Sequence, residues 1–288
     1  MPDPASAVRK ALLAWRNDDG GWGYGPGRRS RLEPSCLALL ALGDDLPGEP
    51  VRLLTSWPRR QGLWVDGPDL PPNYGLNGAA LVAASEALRA HAPVVEPVLQ
   101  RLVAGKGIAL EPTEEVRQDS RLQAWPWVDG TFSWVEPTSW CLLGLKKWRR
   151  AAGPAAGPRI DEAERLLADR VCTGGGWNYG NAVVLAKALP AYVPTTALAL
   201  LALQDRPGVD AVRQSAEFLV REAASESSAL SLGLATIALT VLGRPAGHLA
   251  AATATRLDTA TAVGQTVGVA TALYALDHER HGCAAFRL

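Results

Sequence analysis

The sequence predicts an all-α fold, an (α/α)6 toroid in which six outer helices surround six inner ones. A loop of glycines and aromatics that feeds a Pro-started apolar helix occurs three times: "DGGWGYGPGRRSRLEPSCLALLAL" from Asp19, "DGTFSWVEPTSWCLLGL" from Asp129, and "GGGWNYGNAVVLAKALPAYVPTTALALLAL" from Gly174. Such a repeat is one supersecondary unit that buries its apolar face only by stacking on its neighbours. Between the loops, amphipathic segments carrying Arg, Glu or Asp alternate with segments that carry no charge at all. A helix without a charged face has to be enclosed by protein.

Taken in order, the charged segments are residues 4–16, 49–57, 94–103, 160–171, 209–222 and 247–257, each with apolar residues at helical spacing and a polar opposite face. The charge-free segments are residues 34–43, 76–85, 137–145, 194–204, 227–243 and 259–276. Pairing each outer segment with the inner one that follows gives six units, and closing them into a ring covers every inner face. The same alternation is compatible with an open α-solenoid. Gly43 and Gly243 stand where helix C-terminal caps are expected. The long connection before Glu136, around residues 105–135, has little helical pattern and reads as an insertion over one mouth of a single domain spanning 1–288. Strands are not expected, because the Val and Ile runs are short and lack alternation.

With 48% apolar and 20% charged residues the chain has material for a large core, and its zero formal net charge gives no reason to expect nucleic acid. Cys36, Cys141, Cys172 and Cys283 form no C-x-x-C pair, which argues against both a disulfide framework and a zinc ribbon. His278, His281 and Cys283 in "HERHGC" lack a further matching ligand group, so no metal and no cofactor is expected. The N-terminus has no leader pattern and the charge-free windows are punctuated by Ser, Thr, Gln and Gly. The reading is therefore cytoplasmic, without a transmembrane segment, and peripheral membrane contact stays open.

In a ring, each Gly/Trp loop joins an outer helix to the start of an inner one, so the loops gather at one mouth. Unpaired N–H groups of the inner helices converge there and favour anions. Trp22, Tyr24, Trp64, Tyr74, Trp127, Trp134, Trp177, Asn178 and Tyr179 lie in or near these loops, and an apolar hole with an aromatic rim suits a long apolar ligand with a polar or anionic head. Arg28 and Arg29 would supply the counter-charge. Each Trp also fits a wedge between helix pairs, with Gly beside it for the turn. Glu33 and Glu136 precede the Pro of corresponding inner helices and are candidate acids at the mouth. A helix N-terminus stabilises a carboxylate by about 0.3–1 kcal/mol and lowers its pKa, which favours a cap over a general acid. Asp129 is the third candidate carboxylate, since carbohydrate chemistry would need a pair.

The three loop-and-helix units resemble the prenyltransferase and squalene-oxidase repeats of the terpenoid-cyclase/protein-prenyltransferase superfamily. "QGLW", Gln61 to Trp64, is similar to a degenerate glutamine-tryptophan motif of squalene cyclases. The resemblance implies the same toroid and a central cavity for isoprenoid chains. It also marks departures. The D-x-D-D proton-donor motif of class II cyclases is missing, and the chain has length for one ring rather than two. Where protein prenyltransferase β subunits set Asp and Cys for zinc, Pro194 and Thr196 stand, and "AVGQTVGVATAL" offers no His. The expectation is a toroid that binds an isoprenoid or a similar apolar ligand, an isoprenoid diphosphate included, in its central cavity, with its catalytic role open. The alternative is a non-catalytic scaffold for a protein partner.

Overall fold

The structure is a computed structural model that describes residues 4–112 and 117–288; residues 113–116 of the predicted insertion lie outside the described residues. It is all-α apart from two short hairpins. The helices are α1 (Pro4–Ala14), α2 (Leu32–Leu42), α3 (Glu49–Ser56), α4 (Tyr74–Ala83), α5 (Ser85–Leu88), α6 (Ala92–Ala104), α7 (Val135–Lys147), α8 (Arg149–Ala152), α9 (Ala156–Asp169), α10 (Val193–Ala202), α11 (Asp210–Glu222), α12 (Ala229–Val241), α13 (Ala250–Ala262) and α14 (Thr266–His278). Strands β1 (Arg59–Arg60) and β2 (Leu63–Trp64) pair antiparallel, as do β3 (Val183–Val184) and β4 (Lys187–Ala188).

The charged segments became α1, α3, α6, α9, α11 and α13, and the charge-free segments became α2, α4, α7, α10, α12 and α14. Local chemistry sets their ends. Asn73 Oδ1 accepts from Leu76 N (3.0 Å) at the start of α4, and Ser228 caps α12 in the same way. Gly43 ends α2 at φ 46°, with its N–H returned to Leu39 O. The expected last inner helix, 259–276, is instead divided. Gly264, at φ +71°, breaks the chain between α13 and α14, so residues 259–262 belong to the outer helix. Among the described residues no helix is long and apolar enough to cross a membrane.

Packing follows one rule. Inner helices are neighbours in the order α2, α4, α7, α10, α12, α14, and α14 also packs on α2. Each outer helix packs on the inner helix that precedes it, α3 on α2, α6 on α4, α9 on α7, α11 on α10, α13 on α12 and α1 on α14, while α6, α11 and α13 also reach the following inner helix, α13 most of all against α14. Gly78 shows how close the inner backbones come. A Cβ there would sit 2.5 Å from Trp140 C, so α4 and α7 touch main chain to main chain.

Four repeats are locked by one device. Trp22, Trp64, Trp125 and Trp177 are fully buried. Their indole Nε1 atoms donate to the carbonyls of Leu12 (2.7 Å), Leu54 (3.0 Å), Leu102 (2.9 Å) and Leu167 (2.7 Å) near the ends of α1, α3, α6 and α9. An inner-helix side chain brackets the same residue's main chain. Ser35 Oγ accepts from Trp22 N (2.8 Å) and donates to Trp22 O (3.2 Å). Asn77 does the same for Trp64, Thr138 for Trp125 and Thr196 for Trp177. Arg16, Arg59 and Arg159 lie over the indoles of Trp22, Trp64 and Trp125 at 5.3, 5.1 and 4.8 Å. The wedge reading of the tryptophans therefore accounts for these four. Replacing Trp64 by Phe keeps the volume class but orphans Leu54 O, and Asn77→Leu leaves Trp64 N and O unpaired. Each should cost about 1–3 kcal/mol in urea unfolding, and a loss below about 0.5 kcal/mol for both would show that the lock contributes little.

Candidate functional site

The loops that carry the wedges also build the face at which the inner helices begin. Two residues after each Trp, the loop caps the inner helix of the neighbouring repeat. Tyr24 O accepts from Thr266 N (3.3 Å), Asp66 Oδ1 from Leu32 N (3.0 Å), Trp127 O from Tyr74 N (2.9 Å), and Tyr179 O from Val135 N (2.9 Å). The first N–H groups of α14, α2, α4 and α7 are thereby spent on the protein itself, which removes much of the expected anion-binding capacity of the mouth.

Next in line come the second residues of the inner helices. Glu33, Glu136, Pro194, Leu230 and Val267 are all half-buried. Glu33 accepts from Tyr24 OH (2.8 Å), and Glu136 makes no hydrogen bond among the described residues. Burial pushes the Glu136 carboxyl up from its ordinary 4.5 to about 7, with the Glu33 charge adding to the rise. Burial also raises Glu33, opposed by its bond to Tyr24 and helped by Asp66. The expectation that helix N-termini would hold these carboxyls low is reversed, because desolvation outweighs the dipole at a site this enclosed. The mouth is acidic, and its two sequence-predicted carboxyls lie near enough to feel one another.

A cleft of about 500 Å3 opens beside this mouth. One wall is the insertion before α7, with Ile108, Leu110, Leu122 and Phe132; the other is the β3–β4 hairpin and its flanks, with Val184, Leu189 and Tyr192. Trp134 and Tyr179 form the side toward the inner helices, while Arg170, Asn178, Asn181, Ser120 and Ser133 supply polar groups. Both walls are additions to the repeat. The Trp-to-carbonyl span is 10 residues in three repeats but 23 at Trp125. The Trp-to-bracket span is 13 in three repeats but 19 at Trp177. A parallel bridge between Ile108 and Phe132 folds the first insertion, and the Leu189 N–Ala182 O bond (2.8 Å) closes the base of the hairpin.

The remaining sequence-predicted residues are placed as follows. Trp134, Asn178 and Tyr179 line the cleft. Trp22, Trp64 and Trp177 lie in the core, and so does the ring of Tyr74. The Tyr74 hydroxyl donates to Asp129 (2.7 Å), whose other oxygen accepts from Arg101 (2.6 Å). Asp129 is thus committed to a surface pair. The Trp127 ring lies over Gly75, where a Cβ would stand 2.8 Å from Cζ3. Tyr24 is exposed over the mouth, while Arg28 and Arg29 are exposed on the first loop and form no part of the cleft lining. All four cysteines are buried, and the His278 ring stacks on Tyr274 at 4.4 Å. Among the described residues no three His, Cys, Asp or Glu side chains are placed to hold a metal ion. Ile108, Leu110, Leu122, Phe132, Leu189 and Tyr192 were not foreseen. The irregular spacing of the third and fourth repeats was the available signal.

No family model and no curated protein matches this sequence. A crystal structure of a protein from Actinoplanes is similar over 98% of this chain and 100% of that one, with a TM-score of 0.60 at 17% identity. That likeness is one of fold, over the whole length.

The raised carboxyl gives a testable pH effect. A folded-state pKa above the unfolded value means that the folded chain holds the proton more tightly. Glu136 therefore contributes stability that is full below pH 4.5 and lost as the pH rises to about 7. Glu136→Gln should stabilise the protein by about 1–3 kcal/mol at pH 8 and by under about 1 kcal/mol at pH 5. Equal effects at both pH values in chemical denaturation would place Glu136 in free solvent contact.

Proposed function

We propose that the chain is an (α/α)6 toroid that binds an isoprenoid or a similar apolar ligand on its loop face, in the cleft between the insertion and the hairpin. The ring is supported by the cyclic order of the inner helices, in which α14 returns to α2. The ligand reading rests on one observation above all. The cleft has a drug-sized volume and an apolar wall, and the large apolar side chains around it stay exposed: Ile108, Leu110, Phe132, Trp134, Tyr179, Val184, Leu185, Leu189 and Tyr192. A contiguous apolar patch on a folded surface marks a binding site. The reading is one of binding, because neither D-x-D-D nor the zinc-ligand set that defines the chemistry of the resembled enzymes occurs in the sequence.

A protein partner is the second reading, favoured by the tip of the hairpin. Leu185 is 80% exposed, and Leu185 and Ala186 both take positive φ (49° and 60°), a turn geometry that Asn and Gly adopt at far less cost. An apolar side chain held out on a strained turn fits a surface that another molecule covers.

One deletion separates function from fold. Removing residues 183–188 brings the Trp177-to-Thr196 span back to the 13 residues found in the other three repeats. The shortened protein should fold with a melting temperature within a few degrees of the parent and lose binding of a fluorescent farnesol analogue by tenfold or more. Trp134→Ala should weaken the same probe about tenfold through lost apolar contact. If the parent does not bind the probe saturably, or both variants bind as the parent does, the ligand reading falls. Loss of a stoichiometric co-purifying protein on deleting the hairpin would put the scaffold reading in its place.

A further inference from the structure

The charge at the side of the cleft toward the inner helices says which kind of apolar molecule it would take. Tyr179 and Tyr192 stand there as a tilted pair, ring centroids 5.7 Å apart and planes at 41°, both half-exposed. Tyr192 is the N-cap residue of α10, and the Tyr179 carbonyl is bonded to Val135 N at the start of α7, one residue from Glu136. Both phenol faces are open to the cleft. Acidic charge reaches this end of the cleft: Glu136 on α7 and Glu226 just before α12 both act on Tyr179, and Glu33 on α2 acts on Glu136, although none of the three is itself in the lining. No Lys or Arg forms an ion pair with any of these three among the described residues. The one arginine in the lining, Arg170, is already paired with Asp169.

Resting on the reading of the cleft as an apolar-ligand site, we propose that the ligand is an amphiphile with an organic cation, its ammonium group held over the Tyr179–Tyr192 pair beside Glu136 and its apolar body along Leu189, Leu110 and Phe132. Each part of that arrangement has a physical reason. An aromatic face attracts a cation through its quadrupole, and the attraction grows where water is partly excluded. An unpaired, half-buried carboxyl is unfavourable when ionised, and a bound cation removes that cost. A phosphate or carboxylate head would meet Glu136, Glu226 and Glu111 instead, so the diphosphate expected from the sequence is the head group that this end repels. A neutral alcohol gains the apolar contacts only.

Glu136 is the group here that changes charge near neutral pH, with Glu33 acting on it, while Tyr179 is raised above its ordinary range and stays neutral through pH 8. Selectivity for a cation should therefore increase as the pH rises through about 7. Three ten-carbon probes kept below micelle concentration test this by titration calorimetry on the full chain: decyltrimethylammonium, decanol and decyl phosphate. At pH 8 the ammonium should bind about tenfold tighter than decanol, and the phosphate about tenfold weaker. At pH 5.5 the ammonium-to-decanol ratio should fall below about threefold. Glu136→Gln and Tyr192→Leu should each bring that ratio toward one at pH 8, and parallel unfolding curves establish that both variants are folded. Equal binding of ammonium and decanol by the parent at pH 8, or a ratio unmoved by both substitutions, would overturn the cation assignment and leave the apolar cleft standing. Saturable binding of none of the three probes would overturn the cleft reading as well.

Discussion

The fold depends on a hydrogen bond that four of its repeats make from their own loops. A tryptophan placed between two helix layers has one polar atom, and its Nε1–H has to find an acceptor once buried. The orphan carbonyls near the end of the outer helix supply it at Leu12, Leu54, Leu102 and Leu167. The bracket from Ser35, Asn77, Thr138 or Thr196 then satisfies the tryptophan's own N–H and C=O. One side chain thus fills the gap between layers, closes an outer helix and ties the loop to an inner helix. Because the loop is fixed at that residue, the carbonyl or carboxylate two positions later reaches the first N–H of the neighbouring inner helix. In these four the repeat is locked to itself by the indole and to the preceding repeat by the cap.

That economy leaves the mouth fewer free N–H groups for an anion. Helix starts attract negative charge because their N–H groups are unpaired, and here the first of them is paired with a loop oxygen in four of the six inner helices. What is left facing the mouth is the second residue of each inner helix, and at two of these positions the sequence places a glutamate. Enclosed by Tyr24, Tyr179 and each other, Glu33 and Glu136 lose more by desolvation than the remaining helix field returns. The result is an acidic depression with raised carboxyls.

Much of the architecture was legible because burial leaves a compositional trace. Segments such as "VPTTALALLAL" have no charge to show to water, and their position between amphipathic segments fixed the two layers. The misread boundary at residues 259–262 has the same cause. The outer helix α13 ends in "DTATA", whose Thr and Ala are as neutral as an inner helix, so composition could not separate the two and only Gly264 marks the break. For the site, the aromatics were legible as a group but not in their division of labour. Trp177 and Tyr179 are two residues apart, yet one is a core wedge and the other a cleft wall. Which neighbour turns inward is decided by the spacing of the lock, here 10 residues back to Leu167 and 19 on to Thr196, and that spacing has meaning only once the carbonyl and the bracket are known. The hairpin was illegible for a different reason: Leu185-Ala186 is a turn without a turn sequence.

Repeats and insertions divide the work of this chain between them. A residue inside the lock has little freedom to serve a ligand, since its polar atoms are committed and its ring is covered. The two segments that lengthen the third and fourth repeats carry no such commitment. They meet because their repeats are neighbours, and both rise from the face where the loops already gather. Their apolar side chains stay exposed because no helix remains to cover them, and Glu136 follows the residue whose N–H is bonded to the Tyr179 carbonyl at the edge of the cleft. In the proposed site two separate groups of residues would set selectivity: the insertions the length and shape of the apolar body, and Glu136 beside Tyr179 the charge at its end. A change in either group would then alter what binds while leaving the tryptophan locks untouched.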